Sequence, residues 1–413
     1  MVKPPLELCL RCKGARNLCG LGYCPLLAGL RAKVASLQSI RGLDVEGSTP
    51  PSLVVGEKGY PRVRLYYAIP PGIVGEEARE YDNPSHWFLR KGLGDIIELR
   101  SRLLHLVLPA NIHDPYMLYE KEIGLAVVSE KPVDTEALLR KKPVPKLVFD
   151  PLTPPRGPSA PAQTLRITSN PAVPRAIEKL IWDDIRAEEA IYKLYLDGID
   201  FYTIVRALTI GFLGLHGRRK LVPTRWGITA VDQMISKKLL GRIRRYTPVN
   251  EIMVFYSEYL YNKYMIVLAP GRYRGLWIEV WQPRSLWNPH IEPATLIVYD
   301  SHRGIPSIMD GGYLAARTSV LEYLDKIGRQ ARILILREVL PQYIFPVGNW
   351  QIRLTVKKAL EKGVVLKNPS ISELKRFINR VFTRIPDKII GLTTRFIYGF
   401  KEESISKWFN LRT

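Results

Sequence analysis

One run of six residues, Leu276-Trp277-Ile278-Glu279-Val280-Trp281, combines aromatic and β-branched side chains and therefore predicts a strand. The chain around it predicts further strands at residues 251–270, 295–299 and 331–336, and a helix at residues 313–328. Together these segments predict an α+β fold, in which helices flank a mainly antiparallel mixed sheet.

More distant segments extend this pattern. Residues 53–69 predict two short strands, and residues 147–149 predict another. Residues 173–214 predict two helices with a break near Asp197-Gly198. Residues 32–40 predict a short basic helix.

A further helix is predicted at residues 370–382. Ser370 and Glu373 form a capping box, and apolar side chains recur along one face at helical spacing. Arg376 lies on the opposite, polar face. This face is either solvated or a contact for phosphate.

Residues 143–161 contain seven prolines, so this segment predicts neither a helix nor a central strand. It is the best boundary between domains in the sequence. We expect a four-cysteine zinc module at residues 1–45 and an N-terminal β-rich domain at 46–165 that ends in this linker. An α+β main domain at 166–400 and a tail at 401–413 follow.

All four cysteines lie within sixteen residues, as Cys9-x2-Cys12-x6-Cys19-x4-Cys24. Disulfides are rare in a reducing compartment, so four clustered thiols favour a metal site. Four thiolates complete the tetrahedral coordination that Zn²⁺ prefers and leave no position for a substrate. The spacing therefore predicts one structural zinc ion, the alternative being two disulfides or free thiols.

The chain is strongly basic, with 61 Lys and Arg residues against 39 Asp and Glu residues and a net charge of +22. Such a charge attracts polyanions, which makes nucleic acid the favoured partner, with acidic membranes as the alternative. Arg11, Lys13 and Arg16, beside the cysteines, either contact phosphate or offset thiolate charge. No apolar run approaches the roughly 20 residues of a bilayer span, and no signal peptide is visible. We expect a cytoplasmic protein without a membrane partner.

A second basic segment covers residues 218–232. Arg225 could bind phosphate with two hydrogen bonds, Trp226 could stack on a base, and Thr229 is expected to cap a following helix, whose free amides favour anions. The alternative is a solvated basic loop with a core tryptophan. The predicted nucleic-acid contacts are Arg218, Arg219, Lys220, Arg225, Trp226 and Arg376.

Standard catalytic motifs are absent from the sequence, including G-x-x-x-x-G-K-[ST], H-E-x-x-H and G-x-S-x-G. Five carboxylates could serve as metal ligands or acid–base groups if the fold brings them together beside Arg225. Ordinary caps and salt bridges are the alternative for each of them. The candidates are Asp232, Glu279, Asp300, Asp310 and Glu338.

The C-terminal tail carries an aliphatic residue, Ile405, followed at +3 and +4 by Trp408 and Phe409. This spacing places three apolar side chains on one side of a single helical turn, which suits a hydrophobic pocket on a partner. The alternative is a last helical turn packed on the protein's own core.

Several segments together resemble the archaeal Nre family. In chain order they are the four N-terminal cysteines and residues 55–61, 155–161, 222–229 and 310–313. The resemblance implies a DNA-repair factor that is associated with the replication sliding clamp (PCNA) through a C-terminal motif.

This PIP-like motif has the form Gln-x-x-aliphatic-x-x-aromatic-aromatic. Ile405, Trp408 and Phe409 match its anchors, whereas Glu402 stands where the glutamine belongs. The departure removes an amide donor, which bears on affinity more than on the location of the motif.

Three functions compete at this point. The first is a clamp-associated repair factor that binds DNA, with or without an enzymatic activity on nucleic acid. The second is a non-catalytic repair adaptor, and the third is an RNA-binding or RNA-processing zinc protein. Catalysis predicts that the candidate carboxylates gather in one cleft beside Arg225, whereas the adaptor predicts that they are scattered.

Overall fold

The structure is a computed structural model that describes residues 7–16, 18–21, 23–28 and 42–399. It begins with a short helix, α1 (Leu8–Cys12). The predicted helix at residues 32–40 and the tail at residues 401–413, with its proposed clamp contacts, lie outside the described residues. Within the described part of the chain, no helix is both long and apolar enough to cross a membrane.

The first sheet has six strands. They are β1 (Asp44–Thr49), β2 (Leu53–Val55), β3 (Arg62–Ile69), β4 (Leu104–Asn111), β5 (Val133–Leu139) and β6 (Ser159–Ile167). The order across the sheet is β1-β5-β6-β4-β3-β2, and only β4 and β6 are parallel. The two strands predicted at residues 53–69 are therefore confirmed. The connections contain a 3₁₀ helix (Gly75–Asp82), α2 (Pro84–Trp87), α3 (Leu93–Arg102), α4 (Tyr116–Glu120) and α5 (Ile123–Val127).

The proline-rich segment is packed against the rest of the protein. The prediction of a strand at residues 147–149 is wrong, since Val148 forms only an isolated bridge with Arg156. Leu147 and Phe149 are nonetheless buried, and Phe149 stacks on Phe345 with ring centroids 5.3 Å apart. The apolar run at residues 147–149 therefore serves packing rather than a sheet.

Four helices follow the first sheet: α6 (Arg175–Trp182), α7 (Ala187–Leu196), α8 (Phe201–Thr209) and α9 (Thr224–Ile243). The break predicted near Asp197-Gly198 is confirmed, but residues 173–214 form three helices instead of two. The additional break follows Trp182. There the guanidinium of Arg219 donates to the carbonyls of Leu180, Ile181 and Asp183, which satisfies the end of α6.

The second sheet also has six strands. They are β7 (Met253–Tyr259), β8 (Asn262–Ala269), β9 (Arg274–Trp281), β10 (Ala294–Asp300), β11 (Arg332–Val339) and β12 (Leu366–Lys367). The order is β10-β9-β11-β8-β7-β12, with only β9 and β11 parallel. The helices of this region are α10 (Gly311–Lys326), α11 (Trp350–Lys362), α12 (Ile371–Val381) and α13 (Asp387–Tyr398). The capping box predicted for α12 is present between Ser370 and Glu373.

Helices cover both faces of the second sheet. On β11, Ile333 and Ile335 belong to the hydrophobic cluster that includes residues of α10 and α11. Leu334 and Leu336 belong to the cluster that includes residues of α12 and α13. Burial on both faces explains why the strands are continuous apolar runs. The prediction of an α+β fold is confirmed, with all but one pairing in each sheet antiparallel.

The two sheets share one hydrophobic cluster, which contains Leu65 and Leu106 of the first sheet and Ile266 of the second. Residues of α9 lie in the same cluster, so this helix belongs to the core that the two sheets share. The division of the chain into four parts stays a prediction.

Candidate nucleic-acid site

We call residues 8–28, which include the four cysteines, the cysteine segment. A tight turn anchors this segment beside Trp287. At the end of α1, Lys13 adopts a left-handed conformation with φ of 46°, and its amide donates to the carbonyl of Cys9 at 2.8 Å. Gly14 has φ of 69°, and a Cβ there would lie 2.7 Å from Leu27 and 3.1 Å from Trp287. Leu10 and Leu27 are buried in the same cluster as Trp287. The turn therefore holds Lys13 in one direction.

Lys13 points into a buried group of charges, which we call the Lys13 cluster: Lys13, Glu279, Asp310 and Arg337. The ammonium nitrogen of Lys13 lies 2.8 Å from Asp310 Oδ2 and 3.1 Å from Glu279 Oε2. Arg337 binds the other oxygen of Glu279 at 2.6 Å. The two positive and two negative charges balance, so this lysine compensates carboxylates rather than thiolates.

Electrostatics keep the Lys13 cluster charged. Burial opposes the charge on Lys13, but attraction by Asp310 and Glu279 outweighs it and raises the pKa of the lysine. Burial alone would raise the pKa of Asp310, yet Lys13 holds that pKa below its usual value. Removing one partner of a buried ion pair is strongly destabilising, because the remaining charge is then buried without a partner. Each charge of the Lys13 cluster therefore depends on the others.

A cavity of about 340 Å³ lies beside the Lys13 cluster. Its walls come from the cysteine segment, the proline-rich segment, the start of α9, the start of α10 and the start of α11. Five cationic residues and one carboxylate line it: Arg11, Lys13, Arg16, Arg225, Arg337 and Asp310. Aromatic residues complete the lining, namely Trp226, Trp281, Trp287 and Tyr343.

A larger groove of about 1590 Å³ adjoins the cavity and shares Arg225 with it. The groove runs between the cysteine segment and the hairpin of β2 and β3. Strand β3 presents alternate residues to it, because Arg62, Arg64 and Tyr66 lie on the face opposite the buried Val63 and Leu65. The cations that line the groove are Lys58, Arg62, Arg64, Arg156 and Arg225.

Arg225 stands where the cavity meets the groove. Its guanidinium binds Glu57 Oε1 and Asp150 Oδ2, each at 3.0 Å. The neighbouring Trp226 is 48% exposed, and its ring centroid lies 5.6 Å from that of Tyr60, which is 50% exposed. Two exposed aromatic rings beside a cationic groove offer a surface on which bases could stack.

Two details of the basic segment differ from the prediction. Thr229 does not cap the helix, because α9 already begins at Thr224, and its hydroxyl donates to carbonyls within that helix. Arg219 is buried, and four of its five guanidinium N–H groups donate to backbone carbonyls, which leaves at most one for phosphate. Arg218 and Lys220 are exposed outside both cavities, and so is Arg376 on α12.

The five candidate carboxylates occupy four places. Asp232 binds Arg353, with both oxygens 2.7 Å from one guanidinium nitrogen. Asp300 binds Arg317 at 2.9 Å, and Glu338 accepts from the amide of Thr383 at 2.9 Å. Of the five, Glu279 and Asp310 alone meet near the cavity that Arg225 borders. A catalytic role for any of them stays a prediction.

Comparison with known proteins assigns the family. Residues 18–288 match the family model for the N-terminal region of archaeal Nre, and residues 298–408 match the one for its C-terminal region. The DNA repair protein NreA of Archaeoglobus fulgidus is 36% identical over 362 residues, which are 86% of this chain and 88% of the relative. This chain belongs to the archaeal Nre family.

Other Nre proteins give the same result. The DNA repair protein NreB of Archaeoglobus fulgidus is 33% identical over 90% of this chain and 92% of its own length. The DNA repair protein NreA of Haloferax volcanii is 33% identical over 78% of this chain and 80% of its own. No solved structure matches the chain. The match to the N-terminal Nre model ends at residue 288, between β9 and β10, and the match to the C-terminal model begins at residue 298, within β10.

The cysteines of this Nre protein lie along the groove. Burial, followed by the charges of Cys24, Cys12 and Cys19, raises the pKa of Cys9 to about 11. Cys9 is thus close enough to the other three cysteines for their charges to act on it. Among the described residues, however, no group of three or more Cys, His, Asp or Glu side chains is arranged to hold a metal ion. The structural zinc ion stays a prediction.

Sequence reasoning did not single out several residues of the groove. Arg62 and Arg64 alternate with Val63 and Leu65, and this pattern of a half-buried strand with a basic outer face was available in the sequence. Arg156 carried no comparable signal. It lies in the groove because its guanidinium stacks on Tyr66, 3.6 Å from the ring centroid.

Proposed function

We propose that this Nre-family chain is a DNA-repair factor that binds DNA in the groove between the cysteine segment and the β2–β3 hairpin. The observation that carries the proposal is the basic outer face of β3, beside the exposed rings of Tyr60 and Trp226. Lys58, Arg62 and Arg64 are exposed and have no carboxylate partner among the described residues. The curated relatives are named DNA repair proteins, which favours DNA over RNA.

Phosphate contacts should dominate the affinity, since the groove offers cations without carboxylate partners and the chain has a net charge of +22. Stacking on Tyr60 and Trp226 would add affinity that depends little on base identity. Binding through such contacts should be strongly dependent on salt and weakly dependent on sequence.

The test is a triple substitution, Lys58→Ala with Arg62→Ala and Arg64→Ala, measured by fluorescence anisotropy on a labelled DNA duplex between about 50 and 200 mM salt, a range over which phosphate contacts weaken markedly. We expect the slope of log affinity against log salt to become shallower by roughly two to three, because three phosphate contacts are lost.

The matched control replaces three exposed cations outside the groove, Arg218, Lys220 and Arg376, by Ala. It should leave affinity nearly unchanged. A control variant that binds more weakly than the groove variant would move the DNA interface to the side that the sequence first suggested. A labelled RNA of the same sequence, bound more tightly than the DNA, would favour the RNA-binding alternative.

We also propose that Cys9, Cys12, Cys19 and Cys24 hold one structural Zn²⁺. The chemistry and spacing of the four thiols support this proposal, because four thiolates within sixteen residues can complete the tetrahedral coordination of Zn²⁺. The ion would cross-link the turn that directs Lys13 into its cluster. It would take no part in chemistry, since four thiolates complete its coordination.

The third part of the proposal is docking on the replication sliding clamp (PCNA) through Ile405, Trp408 and Phe409, with Glu402 at the position of the usual glutamine. Its support is the spacing of the three anchors and the reach of the C-terminal Nre family model to residue 408. Clamp docking would bring the DNA-binding groove to replicating DNA.

A further inference from the structure

The floor of the small cavity is the first turn of α10. Asp310 caps this sixteen-residue helix, and its side chain accepts from the amide of Tyr313 at 2.9 Å. Gly311 and Gly312 follow, and both line the cavity. The first amides of a helix have no acceptor within it, and in the described part of the chain neither glycine amide donates elsewhere. Two backbone donors are therefore available there.

A buried side chain on α11 adds a third unused donor. Gln351 is fully buried and lines the same cavity. Its Oε1 accepts from the hydroxyl of Tyr264 at 3.2 Å, whereas its Nε2 has no hydrogen-bond partner among the described residues. A buried donor without a partner is destabilising, because its hydrogen bond to water is lost and not replaced. This unpartnered amide, independent of the helix start, indicates that a ligand acceptor belongs in the cavity.

Charge at the cavity favours an anionic ligand. The carboxylate of Asp310 is the single acidic group in the described lining, and Lys13 neutralises it at 2.8 Å. Arg11 and Arg225 are paired with carboxylates outside the cavity, whereas Arg16 donates to the carbonyl of Met309 at 2.7 Å. Among the described residues Arg16 has no acidic partner, so its charge remains for a ligand.

The lining also contains an aromatic ring that is open to solvent. Trp226 is about half exposed and follows Arg225, where the cavity opens into the groove. A planar base could stack on this ring while a group attached to it reaches the donors inside. The volume of about 340 Å³ lies at the small end of ligand pockets, which suits one nucleotide and excludes a duplex.

We propose that this cavity binds the terminal phosphate of a nucleotide. The amides of Gly311 and Gly312, the side-chain amide of Gln351 and the guanidinium of Arg16 donate to the phosphate oxygens, and Trp226 stacks on the adjoining base. The inference rests on the proposed DNA binding insofar as the phosphate belongs to a DNA end. A free nucleoside monophosphate offers the same chemistry, so the experiment separates these two sources.

The experiment uses the full chain and one duplex with an internal fluorescent label, prepared with a phosphate or a hydroxyl at the 5′ end, and likewise at the 3′ end. Anisotropy should show about tenfold tighter binding for one phosphorylated end, the effect of about one charge-assisted hydrogen bond. In parallel, deoxyadenosine monophosphate is titrated calorimetrically against the protein, with deoxyadenosine as the control.

Two variants test the assigned donors. Arg16→Ala, at an exposed position, and Gln351→Leu, with similar side-chain volume, should each abolish most of the preference for phosphate while duplexes with hydroxyl ends bind as before. Thermal melting tests whether Gln351→Leu is folded. If this variant does not fold, Arg16→Ala alone tests the phosphate site. Arg376→Ala, on the surface of α12 outside the cavity, should keep the full preference.

The outcomes separate this inference from the proposed function. Equal binding of phosphate and hydroxyl ends, with no heat from the monophosphate, overturns the phosphate site and leaves DNA binding in the groove intact. Heat from the monophosphate without an end preference identifies a free nucleotide as the ligand. If the wild-type protein binds the monophosphate but binds no DNA duplex, the proposed DNA binding is overturned and the phosphate site in the cavity is supported.

Discussion

Two buried carboxylates, Asp232 and Asp310, each bind a cation from a distant part of the chain, but their surroundings differ. Asp232 lies on α9 and binds Arg353 of α11, and the hydroxyl of Thr318 on α10 donates to it at 2.7 Å. We call these three residues the Arg353 cluster. Asp310, in the Lys13 cluster, borders a cavity and takes its cation from a turn after a five-residue helix.

The difference concerns what each cluster joins. The Arg353 cluster connects three long helices of the core, and the guanidinium of Arg353 also lies 3.5 Å from the ring centroid of Phe201. The Lys13 cluster connects the cysteine segment to the start of α10, next to unused hydrogen-bond donors. The same charge chemistry therefore holds the core in one place and couples a peripheral segment to the candidate site in the other.

The largest expected effect comes from removing the cation of each cluster. Arg353→Met should lower the free energy of unfolding by about 3–5 kcal/mol, because it leaves a buried charge without a partner. Lys13→Met should cost less, about 2 kcal/mol, since Arg337 still binds Glu279 and the cavity admits water to Asp310. Urea unfolding of both variants measures the difference, and equal losses would remove the contrast.

Acid should reduce the loss of stability that Lys13→Met causes. In the wild type Lys13 holds the pKa of Asp310 below its usual value, so its contribution to stability is complete above about pH 4 and is lost as the pH falls further. In Lys13→Met the lysine no longer opposes burial, which should then hold the pKa of Asp310 above its usual value. The gap in unfolding free energy between wild type and Lys13→Met should therefore begin to shrink above about pH 4 and shrink further as the pH falls through the lowered pKa of the wild type. A gap that stays constant at lower pH would assign the effect to packing.

The contrast also shows what the sequence could reveal. The strands of the second sheet were predictable because burial on both faces makes runs such as residues 276–281 and 331–336 apolar throughout. The capping box of α12 was predictable because its two residues are three positions apart. Lys13 and Asp310 are 297 positions apart, and no local pattern pairs them. The Lys13 cluster and the cavity beside it required the tertiary structure.

The same limit applies to Arg219 and to residues 147–149. Arg219 belongs to a run of cations that resembles a phosphate-binding loop, yet Gly214 and the end of α6 accept hydrogen bonds from four of its five N–H groups. Residues 147–149 have the composition of a strand, but their backbone pairing is limited to an isolated bridge between Val148 and Arg156. The apolar composition of 147–149 reflects the burial of Leu147 and Phe149 and not a place in a sheet.

Removing zinc should reduce stability less than the substitutions above, and it should affect the Lys13 cluster alone. If the ion fixes the turn that directs Lys13, a chelator should lower the Tm of the wild type by no more than Lys13→Met does. The same chelator should change the Tm of Lys13→Met little and should leave the Arg353 cluster unaffected. Metal analysis of protein purified without chelator should find about one zinc per chain. Protein free of zinc that still has the full Tm would separate the Lys13 cluster from any metal.

Substitutions in the tail should have the smallest effect on the stability that either cluster provides, although their effect on binding to the sliding clamp should be large. Replacing Trp408 and Phe409 by Ala should leave the free energy of unfolding unchanged and weaken binding to the sliding clamp of the same organism by at least about a hundredfold, because each buried aromatic anchor contributes on the order of 2 kcal/mol. The measurement is calorimetry with the full chain and with a peptide covering residues 401–413. Lys407→Ala is the matched control and should bind normally, since a lysine at the rim contributes little. Glu402→Gln should tighten binding, because it restores the amide donor that the clamp motif usually has. An unfolding free energy that falls on loss of the two aromatics would place them in the protein's own core, and a peptide that gives no heat at high micromolar concentration would exclude the tail as a clamp ligand.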